Sequence, residues 1–146
     1  MKTNVKVAVI GGGVVGCSVL YHLTRAGWTD VVLIERSELT SGSTWHAAGG
    51  MHTLNGDPNV SRLQAYTIGL YKEIQEQSGQ DCGMHVTGGV MLADTEERMQ
   101  WLKMAHARGR YLGMDTELIS VSEAKELFPL LEEKYFVGAM YDAVDG

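Results

Sequence analysis

The stretch from Val5 to Glu35 constrains this chain more than any other. It opens on Val5-Lys6-Val7-Ala8-Val9-Ile10, a nearly unbroken apolar run expected of a parallel strand buried on both faces. Gly11-Gly12-Gly13-Val14-Val15-Gly16 follows at once and reads G-x-G-x-x-G through Gly11, Gly13 and Gly16. Helical sequence from Val14 to about Ala26 then meets Gly27, a natural C-terminal stop. Val31-Val32-Leu33-Ile34 is a second buried-strand run, and it ends in Glu35, nineteen residues beyond Gly16. The unit has the size of one βαβ repeat.

Each residue type has a physical task in that pattern. Gly11 turns the chain off the first strand. Gly13 lets a diphosphate approach the backbone, and Gly16 lets the helix pack closely on the strands. The free N–H groups and positive end of the helix, where Val14 and Val15 lie, face the anion. Glu35 at the tip of the second strand suits the two hydroxyls of an adenosine ribose. Arg36 beside it would suit a 2′-phosphate, but the acid at the strand tip repels that group. A glycine-rich turn alone is weak evidence; the strand before it, the helix after it and the spaced acid make it a dinucleotide signal.

Composition narrows the classes. Of 146 residues, 45% are hydrophobic and 21% charged, enough apolar content for a core. A net charge of −6 argues against a nucleic-acid partner, which would call for a basic face. Cys17 and Cys82 form no C-x-x-C pair, and Cys17 reads as a small core residue of the first helix. No apolar run approaches a membrane span. The first strand begins close behind Met1, which leaves no room for a leader, and the cysteine usage suits a reducing compartment; both predict a cytoplasmic protein.

Beyond Glu35 the apolar pattern stops. Residues 37–50 are rich in small and polar types around Trp45 and His46. Asp57-Pro58 predicts an N-cap and first helical position, and Leu63, Tyr66, Leu70 and Ile74 predict an amphipathic helix to about Gln77, stopped by Gly79. Gly88-Gly89 within 85–93 predicts a bent or bulged strand pair. A capping box from Asp94 to Glu97 predicts a helix to about Leu112, with Trp101 and the neighbouring methionines at core spacing. A short strand over 117–120, a helix capped by Ser120 and Glu123 and ending before Pro129, and a strand over 136–141 complete the expectation. His22, His52, His85 and His106 lack metal-ligand spacing with one another or with the cysteines. The expected fold class is α/β: the start of a Rossmann-like domain, with a βαβ unit over 4–36, a loop over 37–50 and a remainder of helices and short strands over 57–146. A dinucleotide fold needs more parallel strands than these two, so the chain reads as the N-terminal part of a larger domain.

These residues carry a family resemblance. The βαβ unit followed by a small-residue loop resembles the FAD-binding start of the D-amino-acid-oxidase-like flavoproteins. Gly16-Cys17-Ser18-Val19-Leu20-Tyr21-His22-Leu23 and Leu39-Thr40-Ser41-Gly42-Ser43-Thr44-Trp45-His46-Ala47-Ala48-Gly49 look like the dimethylglycine and sarcosine dehydrogenase branch, as do Phe128-Pro129-Leu130-Leu131 and Asp142 to Gly146. The resemblance implies FAD, with Gly11, Gly13, Val14, Val15, Gly16, Glu35 and Arg36 toward its ADP half and Ser43, Thr44, His46 and Ala48 toward the flavin. It also implies a covalent bond from His46 to the flavin 8α carbon. The implied reaction is oxidation of the N-methyl group of a small amino acid, with hydride passing to flavin N5. Tetrahydrofolate is a possible carbon acceptor, electron-transfer flavoprotein or oxygen the electron acceptor, and the base for the amine lies outside this stretch. From the residues alone, an NAD(P)-dependent dehydrogenase or a non-catalytic dinucleotide-binding module stays open.

Overall fold

The computed structural model describes residues 4–146. The chain divides into two compact units, Met1–Gly49 and Gly50–Gly146.

In the first unit, β1 (Val7–Ile10) and β2 (Val31–Ile34) pair in parallel, with Val7 opposite Val31 and Ile10 opposite Ile34. Helix α1 (Val14–Arg25) crosses between them and packs on both strands. Gly27 ends it in the left-handed region at φ 85°. The expectation of strands buried on both faces is corrected on one of them. Val9, under the helix, is 8% exposed, whereas Ile10, pointing the other way, is 85% exposed. Successive side chains of a strand take opposite faces, and the described residues cover only the face that α1 occupies.

The second unit begins with α2 (Pro58–Ser78). Asp57 caps it by accepting the N–H groups of Asn59 and Val60, and Gly79 closes it at φ 68°. Its predicted apolar stripe is displaced: Ser61 and Ile68 are buried, while Leu63 and Tyr66 are exposed. A three-stranded antiparallel sheet follows, in the order β3 (Gly89–Ala93), β5 (Gly138–Asp142), β4 (Thr116–Ile119). The strand pair expected over 85–93 is a single strand. Gly88 sits at φ 80°, outside the extended region, and the partner of β3 is the distant β5.

Helix α3 (Glu96–Tyr111) is capped by Thr95, which accepts the Arg98 N–H at 3.1 Å, so the expected cap at Asp94 is one residue early. Helix α4 (Val121–Leu127) carries the predicted capping box between Ser120 and Glu123. The period-2 alternation of β5 sorts the core: Met140 packs with Ala93 and Leu102 on one face, Ala139 with Ala124 and Leu131 on the other. Trp101 is not in this core. It is 43% exposed, under the Arg98 guanidinium at 4.3 Å, and Leu102 takes the buried position instead.

A polar knot fastens the chain after Gly50 to the end of β5. Thr53 donates its N–H to Asp145 Oδ1 at 3.0 Å and its hydroxyl to Asp142 Oδ2 at 2.7 Å, and all three residues are buried. His52 Nδ1 lies 3.2 Å from Asp145 Oδ2. Burial pushes the Asp145 carboxyl above its usual range, against the Thr53 N–H and His52, and the Asp142 charge raises it further. The folded state therefore holds a proton that the unfolded chain has released, between the ordinary Asp value and the raised one. Stability gained from this site is present at acid pH and is lost as pH rises through that window. The expected outcome is that Asp145→Asn gains in denaturant midpoint relative to the native residue as pH goes from 4 to 7. A difference independent of pH would remove Asp145 as the titrating group.

Candidate functional site

The glycine turn between β1 and α1 is built so that few side chains could replace its residues. Gly11 adopts φ 101° and donates its N–H to the Ile34 carbonyl at 2.8 Å. A Cβ on Gly16 would fall on the Gly11 carbonyl oxygen, and one on Gly12 would meet Leu39 Cδ2 at 2.5 Å. These contacts draw the helix start against the end of β1.

The pattern G-x-G-x-x-G leaves Gly12 as a free position, yet the structure makes it a hub. Its N–H donates to Glu35 Oε2 at 2.6 Å, and its carbonyl accepts the Thr40 N–H at 2.9 Å. Only the glycine run itself could have signalled this from sequence. Glu35 Oε1 also accepts the N–H groups of Arg36 at 2.7 Å and Ser37 at 2.9 Å. The Gly12 N–H, then that of Ser37, holds the Glu35 carboxyl below its usual range, with the Arg36 N–H and charge assisting. A depressed carboxylate keeps these bonds at neutral pH and loses them as pH falls through its lowered value.

Residues 37–50 are not all irregular, as the sequence suggested. Ser43–His46 form one 3₁₀ turn, preceded by Thr40 in the left-handed region at φ 65°. Thr44 Oγ1 accepts the Val14 N–H at 2.9 Å, so the first N–H of α1 is already engaged. His46 Nδ1 lies 3.0 Å from the Gly42 carbonyl. A carbonyl only accepts, so Nδ1 carries the proton of the neutral ring and Nε2 keeps its lone pair. Ser43, Trp45, His46 and Ala48 are exposed, Trp45 by 78%. Cys17 is half-buried, with Sγ 3.5 Å from the Gly12 carbonyl.

These residues fit an anionic dinucleotide. The first-turn N–H groups of Val15 and Gly16 have no acceptor among the described residues, as expected where a helix start faces a ligand. Gly11 has open space where a side chain would be. Among the described residues no group of three or more His, Cys, Asp or Glu could hold a metal, and no helix is long and apolar enough to cross a membrane.

The model of the DAO family, FAD dependent oxidoreductase, matches residues 6–146, and the chain belongs to that family. It is 39% identical over 145 residues to the mitochondrial dimethylglycine dehydrogenase of Rattus norvegicus, covering 99% of this chain and 17% of that protein. It is 35% identical over 147 residues to the mitochondrial sarcosine dehydrogenase of Homo sapiens, covering 100% of this chain and 16% of that one. It is also 36% identical over 141 residues to the mitochondrial pyruvate dehydrogenase phosphatase regulatory subunit of Mus musculus, covering 97% and 16%. Among solved structures, the L-proline dehydrogenase from P.horikoshii superposes with a TM-score of 0.91 at 29% identity, over 100% of this chain and 38% of that chain. The chain thus spans about a sixth of the length of these curated relatives.

Proposed function

We propose that the chain carries the FAD-binding start of an enzyme that oxidises the N-methyl group of a small amino acid such as dimethylglycine or sarcosine. One observation carries the reading: a glycine turn with open helix N–H groups, Glu35 at the strand tip and His46 with a free Nε2 lie along one continuous unit. The names of the dehydrogenase relatives support the substrate class. FAD, when bound, supplies the two-electron acceptor. Gly11, Gly13, Val15 and Gly16 receive its diphosphate. The remaining acceptor capacity of Glu35 Oε2 meets the ribose, and Arg36 lies beside it. Ser43 and Ala48 line the flavin side, and Thr44 between them is turned to the Val14 N–H. His46 offers Nε2 as the tethering atom, because Gly42 holds the proton on Nδ1. Electron-transfer flavoprotein or oxygen takes the electrons onward, and the oxidised product hydrolyses or passes its carbon to tetrahydrofolate.

The test is an anaerobic titration of the protein expressed at its natural length. Dimethylglycine or sarcosine is expected to bleach the flavin absorbance, and glycine is not. A yellow protein bleached by none of them contradicts the catalytic reading and favours a binding or regulatory role. A colourless protein whose activity needs a nicotinamide contradicts the cofactor.

A further inference from the structure

We infer that Thr44 is a positioning residue, whose hydroxyl docks the 40–46 turn on the start of α1 and so sets His46 for attachment; this rests on the tether reading above. Gly13, the residue at the N-cap of α1, has no side chain with which to cap it. Thr44 supplies that cap from thirty residues away, through Oγ1 at 2.9 Å from the Val14 nitrogen. Glycine at position 13 favours this approach, since a Cβ there would stand 3.0 Å from Thr44 Oγ1 and press the hydroxyl back by a few tenths of an ångström.

Two further contacts clamp the same turn. The Thr40 N–H bonds the Gly12 carbonyl at 2.9 Å, and Leu39 lies against Gly12. Thr40 holds φ 65°, a conformation that costs a β-branched residue energy and persists where its surroundings impose it. Its carbonyl accepts the Trp45 N–H at 3.1 Å, carrying the constraint into the 3₁₀ turn. His46 is the last residue of that turn, and its ring is held by Gly42, the residue that precedes the turn. Placement of Nε2 thus follows placement of Thr44.

Nε2 bonds the flavin 8α carbon, one proton leaves that carbon and one leaves the imidazole. The two electrons and two protons go to molecular oxygen as hydrogen peroxide. None of these atoms belongs to Thr44, so its loss acts on geometry alone.

The experiment compares native protein, Thr44→Ser, Thr44→Val and Thr44→Ala at natural length, following the fraction of flavin that stays with the acid-denatured polypeptide over time after FAD is added. The same substitutions are made in a His46→Ala background, where the Kd for FAD is measured. Thr44→Val and Thr44→Ala are expected to slow attachment about tenfold to a hundredfold, the scale of a misplaced reacting atom. Thr44→Ser should attach at the native rate, and Kd should change several-fold less than the rate. Attachment at the native rate in Thr44→Val would overturn the inference. So would a Kd change as large as the rate change, or failure of Thr44→Ser to restore it, since either makes Thr44 an ordinary binding or folding contact. Native protein that releases all its flavin would instead overturn the tether reading, and this inference with it.

Discussion

Gly16→Ala is expected to open the first turn and to abolish FAD retention. The added Cβ overlaps the Gly11 carbonyl oxygen, a backbone atom that cannot rotate away. Relief requires α1 to lift from β1, which unseats the hydrogen bonds around Gly11 and Gly12 together. Overpacking of this kind costs about 1–3 kcal/mol, and contact with main chain places it at the upper end. The first turn is also where the helix N–H groups converge, so binding and stability should fall together. Denaturant unfolding of the natural-length protein, and FAD titration in a His46→Ala background where no covalent bond masks the affinity, check both. Gly69→Ala is the contrast: it lies within α2, has nothing within 4 Å of the new Cβ, and should leave FAD retention intact and stability unchanged or slightly raised.

The second large effect belongs to the other unit. Leu102 is fully buried between α3 and the sheet, against Ala93 and Met140. Leu102→Ala removes those contacts and leaves a cavity that rigid neighbours fill only in part, for a loss of about 2–5 kcal/mol. The neighbouring Trp101→Ala should cost much less, because the ring is partly in solvent. Denaturant midpoints at constant m-value distinguish the two, and equal losses would mean that the core is assigned to the wrong residue.

What was legible in the sequence was local. The glycine spacing, the two apolar runs and Glu35 specify the βαβ unit because all their geometry lies within one repeat. Asp57-Pro58, Gly79 and the Ser120–Glu123 box fix helix ends by hydrogen bonds within a few residues. What escaped was long-range. Nothing near Gly138–Asp142 states that this strand is central, with β3 and β4 on either side; that is decided by pairing across the chain. Trp101 fits a helical stripe as well as Leu102 does, and only the position of the sheet selects between them. At the site, the long-range bonds of Gly12 and Thr40 are not written in the motifs that contain them. Their roles arise from a turn that folds back on the glycines, and Thr44 was legible as a candidate but not as the cap of α1.

The proposed attachment of FAD to His46 can be read from the protein itself. Proteolysis of the denatured natural-length protein, followed by mass analysis of the yellow fluorescent peptides, tests it most directly. One flavin-bearing peptide is expected, containing Thr44-Trp45-His46, with the added mass on His46 and none in His46→Ala. Flavin found entirely free, or carried by a peptide without His46, would contradict it.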